Sequence, residues 1–122
     1  MGVRGIRGAI TVQTNTEEEI LPATRELIRE MLEKNEVDTE DIASVLITTT
    51  DDLDAVFPAK ATRALAGWEY VPLMCAREIP VQGSLPLCVR VLMHVNTHKS
   101  AKEIKHVFLR DAVKLRPDLA GQ

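Results

Sequence analysis

The segment LCVRVLMHV, residues 87–95, restricts the possible folds of this chain more than any other segment. Its apolar residues point to both faces of an extended strand, and strands of this kind are normally covered on both sides. The chain has 122 residues, which suits a single domain over residues 1–122. One long and one short helix are too few to cover both faces of a sheet, so the sequence predicts that self-association completes the cover.

The order of the elements predicts a mixed α/β fold, in which a sheet packs against the two helices. β-Branched and apolar residues predict strands at residues 3–12, 43–50, 68–75 and 87–95. A helical turn is expected just before the second strand. The pattern of residues 104–115 does not decide between helix and strand.

The long helix is predicted to begin after Thr16, because Glu17 to Glu19 complete a capping-box pattern in its first turn. Apolar residues at three- and four-residue spacing extend this helix to Lys34. Pro22 interrupts the pattern and predicts a kink or a later regular start. A short helix is predicted over residues 57–67, opened by a proline and closed by a glycine.

The charge of the chain excludes several classes of partner. Its 15 basic and 18 acidic side chains give a net charge of -3, so no overall field attracts nucleic acid or an anionic membrane. No apolar run approaches the roughly 20 residues needed to span a bilayer. The N-terminus also lacks the basic and then apolar order of a signal peptide. The sequence therefore predicts a cytoplasmic protein.

Common catalytic and cofactor patterns are missing from the sequence. Cys75 and Cys88 are expected to be free thiols in a reducing compartment. The histidines and cysteines do not have a zinc-site spacing, and the glycines match neither a Walker loop nor a dinucleotide fingerprint. No G-x-S-x-G turn marks a nucleophile. We expect no metal, no cofactor and no covalent chemistry.

Arginines in the predicted strands are the candidates for anion recognition. Alternation places Arg7 on one face of the first strand between Gly5 and Ala9, whose small side chains leave space around its guanidinium, and places Arg4 on the other face. Arg90 interrupts an apolar strand, where a buried guanidinium must find an anionic or carbonyl partner. Two structural alternatives stay open, namely a solvated Arg7 and an ion pair between Arg90 and Glu78.

Five segments together resemble one family, the AroH-class chorismate mutases. They are RGIRGAITV, DDLDAVFPAKATR, ARE, CVRV and HVFLRDAVKLRPDL, and the similarity runs nearly from end to end. The resemblance implies a homotrimer with a pseudo-barrel core, each subunit contributing a mixed sheet and a long helix, and with active sites between neighbouring subunits. It implies the Claisen rearrangement of chorismate to prephenate in phenylalanine and tyrosine synthesis, without a covalent intermediate.

The same resemblance assigns roles to residues of the site. Arg90 would face the ether oxygen and a carboxylate of chorismate, Arg7 would bind a carboxylate, and Glu78 would accept a hydrogen bond from the ring hydroxyl. Further substrate-binding positions implied by the matching motifs are Phe57, Ala59, Lys60, Arg63, Met74, Cys75, Phe108, Leu115 and Arg116.

These further positions have different expected roles. Phe57 and Leu115 would flank the ring, and Arg63 and Arg116 would close the pocket. The backbone near Met74 and Cys75 would assist Glu78. Phe108 stands where the family usually has tyrosine, so a hydroxyl that would reach a substrate carboxylate is missing and weaker binding is expected. Arg4 would form a structural ion pair within or between subunits.

Two other functions are compatible with an arginine-lined cleft. One is a trimeric imine deaminase of the RidA type, which would process small imino acids. The other is a binding module without catalytic activity that senses an acid of the aromatic pathway. Turnover of chorismate separates both alternatives from a mutase.

Overall fold

The computed structural model describes residues 2–115, and within them a five-stranded mixed sheet is covered on one face by a single α-helix. The strands are β1 (Gly2–Thr11), β2 (Ile42–Thr49), β3 (Leu73–Arg77), β4 (Cys88–Thr97) and β5 (Val107–Leu109), and the helix is α1 (Glu17–Lys34). The strand order is β3-β2-β4-β1-β5. β4 pairs antiparallel with β1 and β2, whereas β5 and β3 add parallel edges.

Helix α1 supplies the cover of one sheet face. Its apolar stripe includes Leu27, Ile28 and Met31, which are fully buried against alternate residues of β1 and β4 such as Ile6 and Val91. This core confirms the apolar periodicity read from the sequence. None of the described helices is long and apolar enough to cross a membrane.

The start of α1 differs in detail from the prediction. Thr16 occupies the N-cap position with extended backbone angles, but its side chain makes no capping hydrogen bond. Glu19 instead accepts a hydrogen bond at Oε1 from the backbone N–H of Gln13, 3.1 Å away. The helix is continuous from Glu17 through Pro22, so the later start considered for Pro22 is wrong.

Two predicted elements are shorter or tighter than expected. The short helix is a 3-10 helix over Pro58–Ala64, and Gly67, with φ at +85°, lies in the turn that follows it. The strand predicted to start at residue 68 starts at Leu73, because Trp68 is buried in the core at the beginning of a turn. The undecided segment contains β5 and a further 3-10 helix, Arg110–Leu115.

The second face of the sheet is left open by residues 2–115. Val89, Val91, Met93 and Val95 of β4 are buried beneath α1, whereas the alternating residues of the same strand, from Arg90 to His94, are only half-buried. The predicted shortage of cover is therefore present in the chain. Its completion by a second copy stays a prediction.

Candidate active site

Cross-strand register gathers the candidate residues into rows on the open face of the sheet. Thr48 of β2 lies opposite Arg90 of β4, Arg90 opposite Ala9 of β1, and Ala9 opposite Phe108 of β5. In the next row Leu92 lies between Leu46 and Arg7. Both rows line a cavity of about 190 Å³, which also reaches Leu115.

Arg7 is half-buried at one wall of this cavity. Its guanidinium carbon lies 5.9 Å from the centre of the Phe108 ring, within the range of a cation–π contact. Its backbone N–H donates to Nδ1 of His106 at 2.9 Å, which fixes the strand at this residue. Among residues 2–115 no group accepts a hydrogen bond from the Arg7 guanidinium, so its donors are available to an anion.

Arg90, which lines the cavity, forms an ion pair with Glu78, with 3.2 Å between Nε and Oε1, whereas Glu78 itself lines an adjoining pocket with Thr50 and Asp52. The two side chains are 35% and 16% exposed. The buried Nε does not meet hydrogen-bond geometry with Glu78 in spite of the short distance. The structural pairing considered above is therefore present, and Arg90 also interacts with the thiol of Cys88 through a side-chain hydrogen bond.

The second carboxylate oxygen of Glu78 is bound by Thr48. The Thr48 hydroxyl donates to Oε2 of Glu78 at 2.8 Å. Sequence reasoning did not single out Thr48. The β-branched run ITTT predicts the strand, but it does not reveal that β2 runs beside β3 and ends next to Glu78.

Cys88 lies beneath the cavity in a small apolar cluster with Ala9, Phe108 and Ala112. Burial raises the pKa of its thiol to about 11, an effect that the nearby Arg90 charge partly offsets. Cys75 is half-buried, and both cysteines are free thiols as expected. A neutral, enclosed Cys88 thiol contributes packing and no nucleophile.

A second group of predicted residues lines a different groove. Along the edge of β3 and the helix Pro58–Ala64 a groove of about 860 Å³ is lined by Phe57, Ala59, Lys60, Arg63, Met74 and Cys75. Phe57 and Met74 are 77% and 70% exposed, unusually high values for large apolar side chains. The ammonium of Lys60 is paired with Glu17 at 2.7 Å.

The predicted site is therefore divided within one chain. The Arg7 cavity lies over β2, β4, β1 and β5, whereas the Phe57 groove lies at the edge strand β3. Arg116 lies outside the described residues. Arg4 donates from Nε to the backbone carbonyl of Lys99 at 3.1 Å, so its described contact within one chain is a hydrogen bond, and an ion pair between subunits stays a prediction.

Among residues 2–115 no group of three or more His, Cys, Asp or Glu side chains is arranged to hold a metal ion. The open face of the sheet presents two arginines, one carboxylate and an apolar wall. Such a set binds an anionic organic molecule and stabilises negative charge within it.

Comparisons with known proteins agree on one family. The family model described as chorismate mutase type I matches residues 3–119. The chain is 50% identical over 120 residues to chorismate mutase AroH of Bacillus subtilis, covering 98% of this chain and 94% of that protein. It is 53% identical over 118 residues to chorismate mutase AroH of Thermus thermophilus, covering 96% of each.

A solved structure gives the same result for the fold. The chorismate mutase from Clostridium thermocellum superposes with a TM-score of 0.87 and 53% sequence identity, covering 89% of this chain and 96% of that one.

Proposed function

The chain belongs to the type I chorismate mutase family, and we propose that Arg90, Arg7 and Glu78 perform its reaction in the cavity on the open sheet face. The activity is the isomerisation of chorismate to prephenate in aromatic amino acid synthesis. An ether C–O bond breaks while a C–C bond forms within the same molecule. This rearrangement proceeds without a nucleophile, and the protein supplies orientation and charge.

Arg90 stabilises the negative charge that grows on the ether oxygen as the C–O bond breaks. Its guanidinium is mostly buried and already oriented by Glu78, so little reorganisation is needed during the reaction. Arg90 lines the cavity, and the donors that Glu78 and Cys88 do not engage face the substrate. The observation that carries the proposal is this partly buried cation, which is inserted in an apolar strand and lines a cavity.

Arg7 and Glu78 orient the substrate in its folded, reactive conformer. Arg7 binds one carboxylate of the dianion through two parallel hydrogen bonds, with its guanidinium supported by the Phe108 ring. Glu78 accepts a hydrogen bond from the ring hydroxyl through the acceptor capacity that Thr48 and Arg90 leave. Holding the reacting atoms in this geometry removes much of the entropic barrier.

The division of the site supports a trimer with its active sites between subunits. The Arg7 cavity, at about 190 Å³, is smaller than the 300 Å³ or so at which ligand pockets usually begin. In the proposed assembly a neighbouring subunit completes it with its own Phe57 groove, and Arg63 adds a cation there. The same contact covers the open sheet face. The cytoplasmic location stays a prediction.

The two alternative functions have less support. The family model described as chorismate mutase type I matches residues 3–119, which favours the mutase over the imine deaminase. A module that binds without catalysis requires the loss of a catalytic group, whereas this chain retains both residues that we propose for catalysis, Arg90 and Glu78. The missing hydroxyl at Phe108 weakens binding and leaves the cation at the ether oxygen unchanged.

The direct test is to add purified protein to chorismate and to follow the loss of diene absorbance, with prephenate identified by its acid conversion to phenylpyruvate. Replacing Arg90 by citrulline removes the charge at nearly constant shape, and kcat should fall by about 10²- to 10³-fold. Arg29, exposed on α1, provides the matched control, since Arg29→citrulline should leave kcat unchanged. Full activity of the Arg90→citrulline protein would refute the electrostatic mechanism.

A further inference from the structure

We infer that Thr48 is a positioning residue for the mutase reaction, whose hydroxyl holds Glu78 in the orientation that receives the substrate hydroxyl. This inference rests on the proposed role of Glu78. Thr48 acts through the carboxylate and not on the reacting atoms. The basis is a hydrogen bond of 2.8 Å from Thr48 Oγ1 to Glu78 Oε2, in a partly buried position.

The backbone brings the two residues together through the parallel pairing of β2 with β3. Thr48 lies opposite Ala76, and the backbone N–H of Glu78 donates to the carbonyl of Thr49 at 2.9 Å, one step beyond the end of β3. Side chains two residues apart on a strand share a face, so the Glu78 side chain leaves on the same face as Ala76 and Thr48. The small Ala76 leaves the space between them open.

Thr48 also lies directly opposite Arg90 in the antiparallel pairing of β2 with β4. Thr48 therefore lies on the strand between β3, which leads to the anion Glu78, and β4, which carries the cation Arg90. Glu78 receives its one hydrogen bond of good geometry from Thr48, because Nε of Arg90 is close to Oε1 but poorly directed. Without the hydroxyl, the ion pair with Arg90 is the remaining described contact to the carboxylate, and it engages only Oε1.

The neighbouring threonines show that this role is specific to one hydroxyl of the ITTT run. Thr49 donates to the carbonyl of Leu53 at 3.4 Å, on the face away from the cavity. Thr50 bonds to the carboxylate of Asp52 and receives the backbone N–H of Cys88, which closes the loop after β2. Thr48 is the member of the run that lines the Arg7 cavity.

The test compares Thr48→Val, which keeps the shape and removes the hydroxyl, with Thr48→Ser, which keeps the hydroxyl. We expect KM for chorismate to rise about tenfold in Thr48→Val, and to stay near its original value in Thr48→Ser. Unchanged circular dichroism and thermal midpoint in both variants would show that the fold is intact. Equal loss in the serine variant would overturn the inference, since the hydroxyl would then not be the group that acts.

A double-mutant cycle separates positioning from direct contact or general strand support. In a Glu78→Ala background, assayed with enough enzyme to exceed the uncatalysed rate, Thr48→Val should have no further effect. The same loss in both backgrounds would overturn the inference and leave the proposed function intact. If Glu78→Ala itself leaves kcat/KM unchanged, the role of Glu78 is wrong, and the positioning role of Thr48 is refuted with it.

Discussion

Gly8 lies directly against Met31 of the long helix, with no room for a side chain between β1 and α1. A Cβ atom at Gly8 would overlap the Met31 sulfur and would come within 3.1 Å of a Leu27 methyl. Both helix residues are fully buried, so neither can move aside easily. This contact sets the distance between α1 and the strand segment that carries Arg7 and Ala9.

We therefore expect Gly8→Ala to lower the free energy of unfolding by about 1 to 3 kcal/mol, the usual range for overpacking a core. The strand should also move away from the helix, which displaces the neighbouring Arg7 and raises KM. Chemical denaturation and steady-state kinetics measure the two effects. Gly2→Ala is the control on the same strand, since a Cβ there meets nothing within 4 Å, and a stability loss equal to that of Gly8→Ala would contradict the explanation.

Asn35, at the C-terminus of α1, should contribute strongly to stability. Its amide donates to the carbonyls of Met31 and Lys105 at 2.9 and 2.8 Å and accepts the Lys105 N–H at 2.7 Å, while the residue is only 2% exposed. Asn35→Ala would leave these buried groups unpaired, so unfolding free energy should fall by about 2 to 3 kcal/mol.

Asn15 gives a matched comparison for this prediction. It also makes three hydrogen bonds, one to the carboxylate of Asp54 and two from the backbone N–H groups of Asp54 and Ala55, but it is exposed. Water can replace these partners, so Asn15→Ala should lower the free energy of unfolding by less than about 1 kcal/mol. Equal losses in urea denaturation would mean that burial is not what makes Asn35 important.

Cys88 should make the protein less stable at high pH. Burial raises the pKa of its thiol from 9.0 to about 11, so between these pH values the unfolded chain loses a proton that the folded chain keeps. The folded state then binds more protons, and the free energy of unfolding falls as pH rises, by about 2 to 3 kcal/mol over this window.

The measurement is the difference in unfolding free energy between pH 9 and pH 11, determined for the original protein and for Cys88→Ala. The substitution should remove this part of the pH dependence. Cys75→Ala is the control and should retain it. A Cys88→Ala protein with an unchanged slope would assign the effect to other groups.

Local patterns were sufficient to predict much of the fold. Residues 3–12 and 87–95 predicted β1 and β4, and the apolar spacing up to Lys34 predicted α1. Each prediction succeeded because the segment has the residue pattern of its own secondary structure. Trp68 was misread as the start of a strand. Its aromatic side chain fits a strand locally, but its burial comes from a turn packed against the rest of the core.

The candidate site was only partly predictable for a related reason. Arg7 and Arg90 could be singled out because a charge within an apolar strand is unusual wherever the strand lies. Their position in one cavity, and that of Phe57 in a separate groove, depends on the strand order β3-β2-β4-β1-β5. The hydrogen bond from Thr48 to Glu78 depends on the same pairing, which no local pattern encodes.

Phe108→Tyr should restore the hydroxyl that is usual in this family. Phe108 is 8% exposed and lines the same cavity as Arg7, so we expect a hydroxyl on its ring to reach the substrate carboxylate that Arg7 is proposed to bind. A hydrogen bond to a charged group should lower KM by about ten- to a hundredfold, with little change in kcat. Tyr70→Phe, which removes a hydroxyl from a side chain that is 94% exposed, is the control and should not change KM. An unchanged KM in Phe108→Tyr would place the ring outside reach of the substrate.

Mixing two inactive variants should restore activity if each site is shared between subunits. Arg63→Glu damages the Phe57 groove and Arg90→Ala damages the Arg7 cavity, which lie at different places in one chain. In a cyclic trimer every mixed assembly contains one interface where an intact groove meets an intact cavity. Random association of equal amounts of the two variants therefore gives roughly a quarter of the original kcat per chain.

The control is a chain that carries both substitutions. Co-expressed with Arg63→Glu or with Arg90→Ala alone, it can form no site with both parts intact, so activity should stay at the level of the single variants. Activity of the Arg63→Glu and Arg90→Ala mixture that does not exceed the mean of the separate proteins would show that groove and cavity do not meet across an interface. The open face of the sheet, with Leu46, Leu92 and the exposed Met74, would then need a different explanation.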